Sequence, residues 1–99
     1  MATVKEHLFT VVKDHKDEIY NRFNVESLFI FGSVARGSAT PGSDVDFLVR
    51  YKETPGFFAF LDFKEYLENI LGRRIDLVTE KALKKQLREQ IIQEAERVA

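Results

Sequence analysis

The sequence predicts a small mixed α/β (α+β) domain in which a mixed β-sheet of three to four strands carries helices mainly on one face. Three observations predict this class. Apolar residues recur at helical spacing in three stretches, short runs rich in β-forming residues separate those stretches, and the two kinds of segment alternate along the 99 residues. Such an alternation is typical of a layered helix-and-sheet fold. The length corresponds to one domain, residues 1–99.

The N-terminal part predicts a helix followed by a buried strand. Thr3 and Glu6 have the spacing of a capping box, and apolar residues then recur every three or four positions, which predicts a helix over residues 4–22. From Val25 the pattern changes to the short apolar run 28–31. A run of this kind that stops at a glycine is typical of a strand buried on both faces, and we expect it near the centre of the sheet.

The middle of the chain predicts a loop and a second strand. Residues 32–43 contain three of the five glycines and one of the two prolines, which indicates a loop, with one helical turn over residues 33–36. Residues 44–51 then alternate between apolar and other side chains, as in a half-buried strand. This alternation places Asp44 and Asp46 on one face.

A second helix is predicted after the turn residues 54–56, and Gly72 terminates it. Its apolar stripe consists of Phe57, Phe60, Leu61, Leu67, Ile70 and Leu71. Phe58 and Phe63 lie outside this stripe. They are interpreted either as additional core residues or as an exposed patch that docks another protein.

The C-terminal third predicts one more strand and one more helix. Residues 75–78 form a short apolar run interrupted by Asp76, which predicts a third strand. Thr79 can cap a last helix, whose apolar positions continue at intervals of three and four to Val98.

The composition restricts the chemistry that this chain can carry. Fifteen Lys and Arg residues against 16 Asp and Glu give a net charge of −1, so we expect no nucleic-acid binding driven by net charge, and any phosphate chemistry must be local. The absence of cysteine excludes disulfides, thiolate nucleophiles and Cys-ligated zinc. Charges interrupt every apolar run near the N-terminus, so we expect no signal peptide, no membrane span and a cytoplasmic protein.

Asp44 and Asp46 are candidate metal ligands. Residues two apart in a strand lie roughly 6.6 Å apart on one face, so both carboxylates can converge on one or two divalent cations. Two such cations stabilise the oxygens of an in-line displacement at phosphorus. Asp76 on the third strand can add a third carboxylate. The alternative is that these are strand-end aspartates that face water.

Gly32 and Ser33 form a candidate phosphate site. A glycine lets the backbone approach a ligand closely, the amides of a following helical turn point towards an anion, and the serine hydroxyl adds a donor. Arg36 can add a bidentate contact to phosphate oxygens or remain a solvated cation. The alternative for the Gly-Ser pair is an ordinary turn.

These residues together resemble a known family. The stretch GSVARGSATPGSDVDFLV resembles the signature of the DNA polymerase β-like nucleotidyltransferase superfamily, and the short chain resembles its minimal nucleotidyltransferase (MNT) group. The segment RRIDLVTEKALKKQLREQIIQEAERV is similar to that group's third-carboxylate strand and terminal helix. The resemblance implies a nucleotidyltransferase fold in which Gly32 and Ser33 hold the nucleotide phosphates. Asp44, Asp46 and Asp76 would bind two Mg²⁺ and act in catalysis. Three further positions match the nucleotide-binding motif: Arg36, Gly37 and Ser43.

The resemblance also implies an activity and a partner. It implies metal-dependent transfer of a nucleoside monophosphate, AMP from ATP, to a hydroxyl group with release of pyrophosphate. Proteins of the MNT group are typically antitoxins of HEPN-domain ribonuclease toxins, so the implied acceptor is a tyrosine of a partner HEPN toxin. Two alternatives stay open. One is a non-catalytic antitoxin that neutralises its partner by occlusion. The other is a transferase for a small-molecule or RNA acceptor that a separate subunit holds.

Overall fold

The computed structural model describes residues 3–40 and 42–99, so Pro41, within the predicted loop, lies outside the described residues. The helices and strands, in chain order, are α1 (Val4–Asp14), α2 (Lys16–Arg22), β1 (Val25–Phe31), α3 (Gly32–Arg36), β2 (Val45–Tyr51), α4 (Phe57–Leu71), β3 (Ile75–Thr79), a 3₁₀ turn (Glu80–Ala82), α5 (Lys85–Glu94) and β4 (Glu96–Arg97). This arrangement confirms the predicted mixed α/β class. None of these helices is both long enough and apolar enough to cross a membrane.

The four strands form one mixed sheet in the order β3-β2-β1-β4. β1 pairs antiparallel with β2 and with β4, whereas β2 and β3 run parallel. The fourth strand is short, and its two residues pair with Phe29 and Ile30 at the edge of β1. The parallel pairing matters for function because it places the first residues of β2 and β3 at the same end of the sheet.

One face of the sheet forms the core with α1, α2 and α4. The fully buried side chains on this face are Leu8, Val12, Ile19, Val25, Leu28, Ile30, Val45, Phe47, Val49, Phe63 and Leu67. Helix α5, in contrast, contributes no buried residue. Side chains of the strands alternate between faces, so Asp46 and Asp76 project away from this core.

The N-terminal helical segment is two helices rather than the single helix predicted over residues 4–22. The break is at His15, whose backbone has φ −106° and ψ 11°, and whose Nδ1 lies 2.7 Å from the carbonyl oxygen of Val11. Val12 and Ile19 on either side of the break are both fully buried. Because they are seven residues apart, about two helical turns, the apolar stripe stays in phase and does not reveal the break.

The buried face of α4 differs from the predicted stripe. Phe57 was placed on the core stripe but is 71% exposed, and Phe58 is 79% exposed, whereas Phe63 is fully buried. The buried residues are Phe63, Leu67 and Leu71, spaced by four. Aromatic residues occupy several sides of the first turns, so apolar spacing alone did not determine which side faces the sheet.

The predicted last helix is wrong at both ends. The Thr79 hydroxyl accepts a hydrogen bond from the Ala82 amide (3.3 Å), but it caps the 3₁₀ turn, and α5 begins only at Lys85. The helix ends at Glu94, and the chain then returns to the sheet edge, where the Val98 amide donates to the carbonyl of Leu28 (2.8 Å). This backbone pairing over 70 residues leaves no local signal in the sequence.

Candidate active site

Three aspartates lie at the end of the sheet where β2 and β3 begin. Asp46 and Asp76 are paired in register on the two parallel strands, which are spaced by about 4.8 Å. Asp44 immediately precedes β2 and is exposed, as is Asp76, whereas Asp46 is half-buried. The structure therefore brings together the three carboxylates that the sequence analysis singled out.

Gly32 lies directly against the carboxyl group of Asp46. A β-carbon at Gly32 would collide with Asp46 Oδ2 and would lie 3.1 Å from its Cγ. The backbone of Gly32 is also left-handed (φ +71°), a conformation that glycine adopts without strain. The end of β1 and the aspartates thus form one site, and a side chain at Gly32 would displace the Asp46 carboxyl from its position.

The aspartates repel one another. Burial, followed by the negative charges of Asp76 and Asp44, raises the pKa of Asp46, while Arg36 acts in the opposite direction and the Glu94 carboxylate adds a smaller upward contribution. Like charges this close disfavour the ionised form, and a bound cation would relieve the repulsion.

The loop that leads into β2 is held by Arg73. Its Nη2 donates to the carbonyl oxygens of Thr40 and Ser43, each at 2.9 Å. The Ser43 hydroxyl in turn accepts from the Thr40 amide (2.9 Å). Ser43 therefore shapes the loop that carries Asp44, and Arg73, which the sequence analysis did not single out, is a functional candidate through its position.

The remaining predicted residues lie in or next to α3. Gly37 ends this helix in the left-handed conformation (φ +76°), and its amide donates to the carbonyl of Val34 (3.1 Å). Ser33 is half-buried, and its carbonyl accepts from the Ser38 amide (2.9 Å). Gly37 thus terminates the turn that follows Gly32 and Ser33.

Glu94, at the end of α5, is the second residue that the sequence analysis missed. Its Oε1 accepts a hydrogen bond from the Gly32 amide (2.7 Å) and lies 3.1 Å from Nη1 of Arg36. Its side chain is 24% exposed. A carboxylate thus accepts hydrogen bonds from the backbone amide of Gly32 and from the Arg36 guanidinium, in the region where the sequence predicts phosphate binding. The two partners are 62 and 58 residues away in the chain, so no local spacing indicates this contact.

Within residues 3–40 and 42–99, no group of three or more acidic or histidine side chains is gathered closely enough to hold a metal ion. The three aspartates are therefore electrostatically coupled without forming a preformed three-ligand centre. Their chemistry nevertheless fits Mg²⁺, because carboxylate oxygens are its preferred protein ligands, and because burial together with the negative charges of Asp76 and Asp44 raises the pKa of Asp46 when no cation is bound.

Comparison with known proteins identifies the family. The family model described as "Nucleotidyltransferase domain" matches residues 12–98, which include the three aspartates, Gly32 and Ser33. The chain therefore belongs to the nucleotidyltransferase family. This confirms the family that the sequence motif predicted, and with it the class of enzyme.

Two homologues narrow this class. Protein adenylyltransferase MntA of Thermococcus cleftensis is 39% identical over 94 residues, which cover 95% of this chain and 94% of that protein. A solved structure described as that of a minimal nucleotidyltransferase is 36% identical in sequence and superposes with a TM-score of 0.75. The superposition covers 90% of this chain and 93% of the chain in that structure. The chain thus groups with the minimal nucleotidyltransferases at nearly full length.

More distant structures share the fold alone. A chain in the complex of a tri-AMPylated Shewanella oneidensis HEPN toxin with an MNT antitoxin has a TM-score of 0.66 at 19% identity, covering 96% of this chain and 71% of that chain. A toxin–antitoxin structure with AMP-PNP has a TM-score of 0.70 at 20% identity, covering 96% and 72%.

Proposed function

We propose that this protein is an antitoxin that transfers AMP from ATP to a tyrosine hydroxyl of a partner HEPN toxin. The observation that carries the proposal is the direct contact between Gly32 and the Asp46 carboxyl, with Asp76 in register beside it. A nucleotide held at Gly32 would have its phosphates next to the carboxylates. The names of the 39% identical homologue and of the AMPylated toxin complex support AMP as the transferred group and a toxin as the acceptor.

The proposed reaction is a displacement at phosphorus. The acceptor oxygen forms a bond to the α-phosphorus of ATP, the bond from that phosphorus to the bridging oxygen of the β-phosphate breaks, and pyrophosphate leaves. The proton of the hydroxyl passes to a carboxylate, a role that we assign to Asp76. Gly32 and Ser33 bind the phosphates through a backbone amide and a hydroxyl. Gly37 ends the helix that follows Gly32 and Ser33, and Ser43 shapes the loop before β2. Arg36 adds positive charge next to the phosphates.

Asp44, Asp46 and Asp76 are the residues that would hold Mg²⁺. When bound, two such ions neutralise phosphate charge and stabilise the attacking and leaving oxygens. The chain itself supplies the carboxylates, and Arg73 positions the loop that bears Asp44.

Two exposed aromatic side chains at the start of α4 support a protein as the acceptor. The rings of Phe57 and Phe58 contact each other with centroids 5.8 Å apart, and both side chains are largely exposed. Adjacent exposed aromatic side chains are typical of surfaces that bind other proteins. A partner that brings its own hydroxyl needs no acceptor pocket within this chain.

The test is a transfer assay with purified toxin, Mg²⁺ and labelled ATP, followed by separation of the two proteins. We expect the toxin to gain the mass of AMP on a tyrosine and to stay inactive after separation, because the bond is covalent. Asp46→Asn should abolish the label, whereas Asp62→Asn, the same change on the exposed side of α4, should not. Inhibition that disappears on separation, with no modified peptide, would support occlusion instead.

A further inference from the structure

Glu94 lies in the part of the site where a triphosphate would bind. Its carboxylate accepts from the Gly32 amide at 2.7 Å and pairs with Arg36 at 3.1 and 3.2 Å through its two oxygens. A backbone amide together with a guanidinium is a combination that recognises phosphate oxygens, and a carboxylate uses the same donors. Glu94 therefore makes the contacts that an anionic ligand would make.

We infer that the Glu94 carboxylate competes with the nucleoside triphosphate for the Gly32 amide and the Arg36 guanidinium, and thereby lowers the affinity of this enzyme for ATP. The inference rests on the proposed function, because it assumes that the triphosphate binds at Gly32. The Gly32 amide has one hydrogen to donate, so it cannot bond fully to Glu94 and to a phosphate oxygen at once. Binding then requires Glu94 to leave, and the apparent affinity falls by the fraction of molecules in which the site is free.

The surrounding structure lets Glu94 leave at small cost. Helix α5 has no buried residue, while β4, which begins two residues after Glu94, is held at the sheet edge by pairing with β1 and by the ion pair of Glu96 with Lys5 (2.7 Å). The backbone beyond the helix is thus anchored, and rotation of the Glu94 side chain is sufficient to free the amide.

Three variants separate this contact from a general charge effect. Glu94→Gln keeps the shape and removes the charge, and Glu94→Asp keeps the charge but shortens the reach by one methylene group. Glu89→Gln removes the same charge from an exposed position of α5. Binding is measured by calorimetry with Mg²⁺ and an ATP analogue whose α,β-bridging oxygen is a methylene, and again with inorganic tripolyphosphate. Thermal unfolding shows that each variant is folded.

We expect the Kd of both probes to fall about threefold to tenfold in Glu94→Gln and Glu94→Asp and to stay within about twofold in Glu89→Gln. Exchange of the Gly32 amide hydrogen, followed by NMR without ligand, should accelerate in Glu94→Asp, because the shorter side chain no longer reaches the amide, whereas Glu94→Gln keeps an oxygen acceptor of the same length. Unchanged exchange in Glu94→Asp, equal affinities of wild type and Glu94→Gln, an equal gain in Glu89→Gln, or weaker binding in Glu94→Gln would each overturn the inference.

The failure of the proposed function gives a different result. If wild type binds the analogue and transfers AMP, but the Glu94 variants bind it equally well, only the competition is wrong. If neither wild type nor any variant binds the analogue or tripolyphosphate at millimolar concentration, the nucleotide site itself is wrong, and the inference is overturned with it.

Discussion

Replacing Gly32 by alanine tests whether the contact between the β1 end and Asp46 is needed for catalysis. The added methyl group collides with the Asp46 carboxyl, which is the far end of a side chain and can rotate away. It also places a residue with a β-carbon at φ +71°. The first effect displaces a proposed metal ligand, and the second strains the backbone, so the two effects have different readouts.

The backbone strain has a known size. A residue other than glycine in the left-handed region costs roughly 1–2 kcal/mol, and about 1 kcal/mol lowers the Tm of a domain of this size by roughly 4–8 °C. Gly72→Ala is the matched control, because Gly72 ends α4 with φ +64° and, apart from its chain neighbours, no atom of residues 3–40 or 42–99 lies within 4 Å of its added β-carbon. Both variants should therefore lose about the same stability.

Activity should separate the two variants. A displacement of about 1 Å at a reacting centre costs on the order of 100-fold in rate, so AMP transfer by Gly32→Ala should fall by about that factor. Gly72→Ala should stay within about twofold of wild type. Transfer is measured with labelled ATP about 15 °C below the lower of the two Tm values, so that both variants are folded even after an expected loss of roughly 4–16 °C. Near wild-type transfer by Gly32→Ala, or a comparable loss in Gly72→Ala, would refute the reasoning.

Two further predictions concern stability. The raised pKa of Asp46 means that the folded state binds this proton more readily than the unfolded state, so the free energy of unfolding falls as the pH rises from the ordinary pKa of 3.8 through the raised one. In metal-free protein, Asp46→Asn should remove that fall and raise the Tm at pH 7. An unchanged dependence of Tm on pH in this variant would contradict the prediction. Urea unfolding should show that Phe63→Ala lowers the free energy of unfolding by about 3–5 kcal/mol and Phe58→Ala by less than about 0.5 kcal/mol, because of these two residues only Phe63 is buried. Equal losses in the two variants would contradict the assigned buried face of α4.

Much of the candidate site could be predicted from the sequence because its parts are local in the chain. Gly32, Ser33, Asp44 and Asp46 fall within 15 consecutive residues, and a strand, a turn and a second strand in that order return the chain to the same end of the sheet. Strand alternation places Asp46 on the face opposite the core. The order of elements and the mixed α/β class follow from the same periodicities, which report local backbone geometry directly.

Only the tertiary structure decides three features: which face of α4 is buried, the path of the chain after α5, and which group accepts the hydrogen bond of the Gly32 amide. Apolar spacing cannot select a face when aromatic residues lie on several sides of a helix, so the predicted stripe wrongly includes Phe57 and leaves the position of Phe63 open between the core and an exposed patch. The strand β4 and the contacts of Arg73 and Glu94 join residues 30 or more positions apart. Such contacts depend on where the packed elements bring the chain back together, and that geometry leaves no periodic trace in the residues themselves.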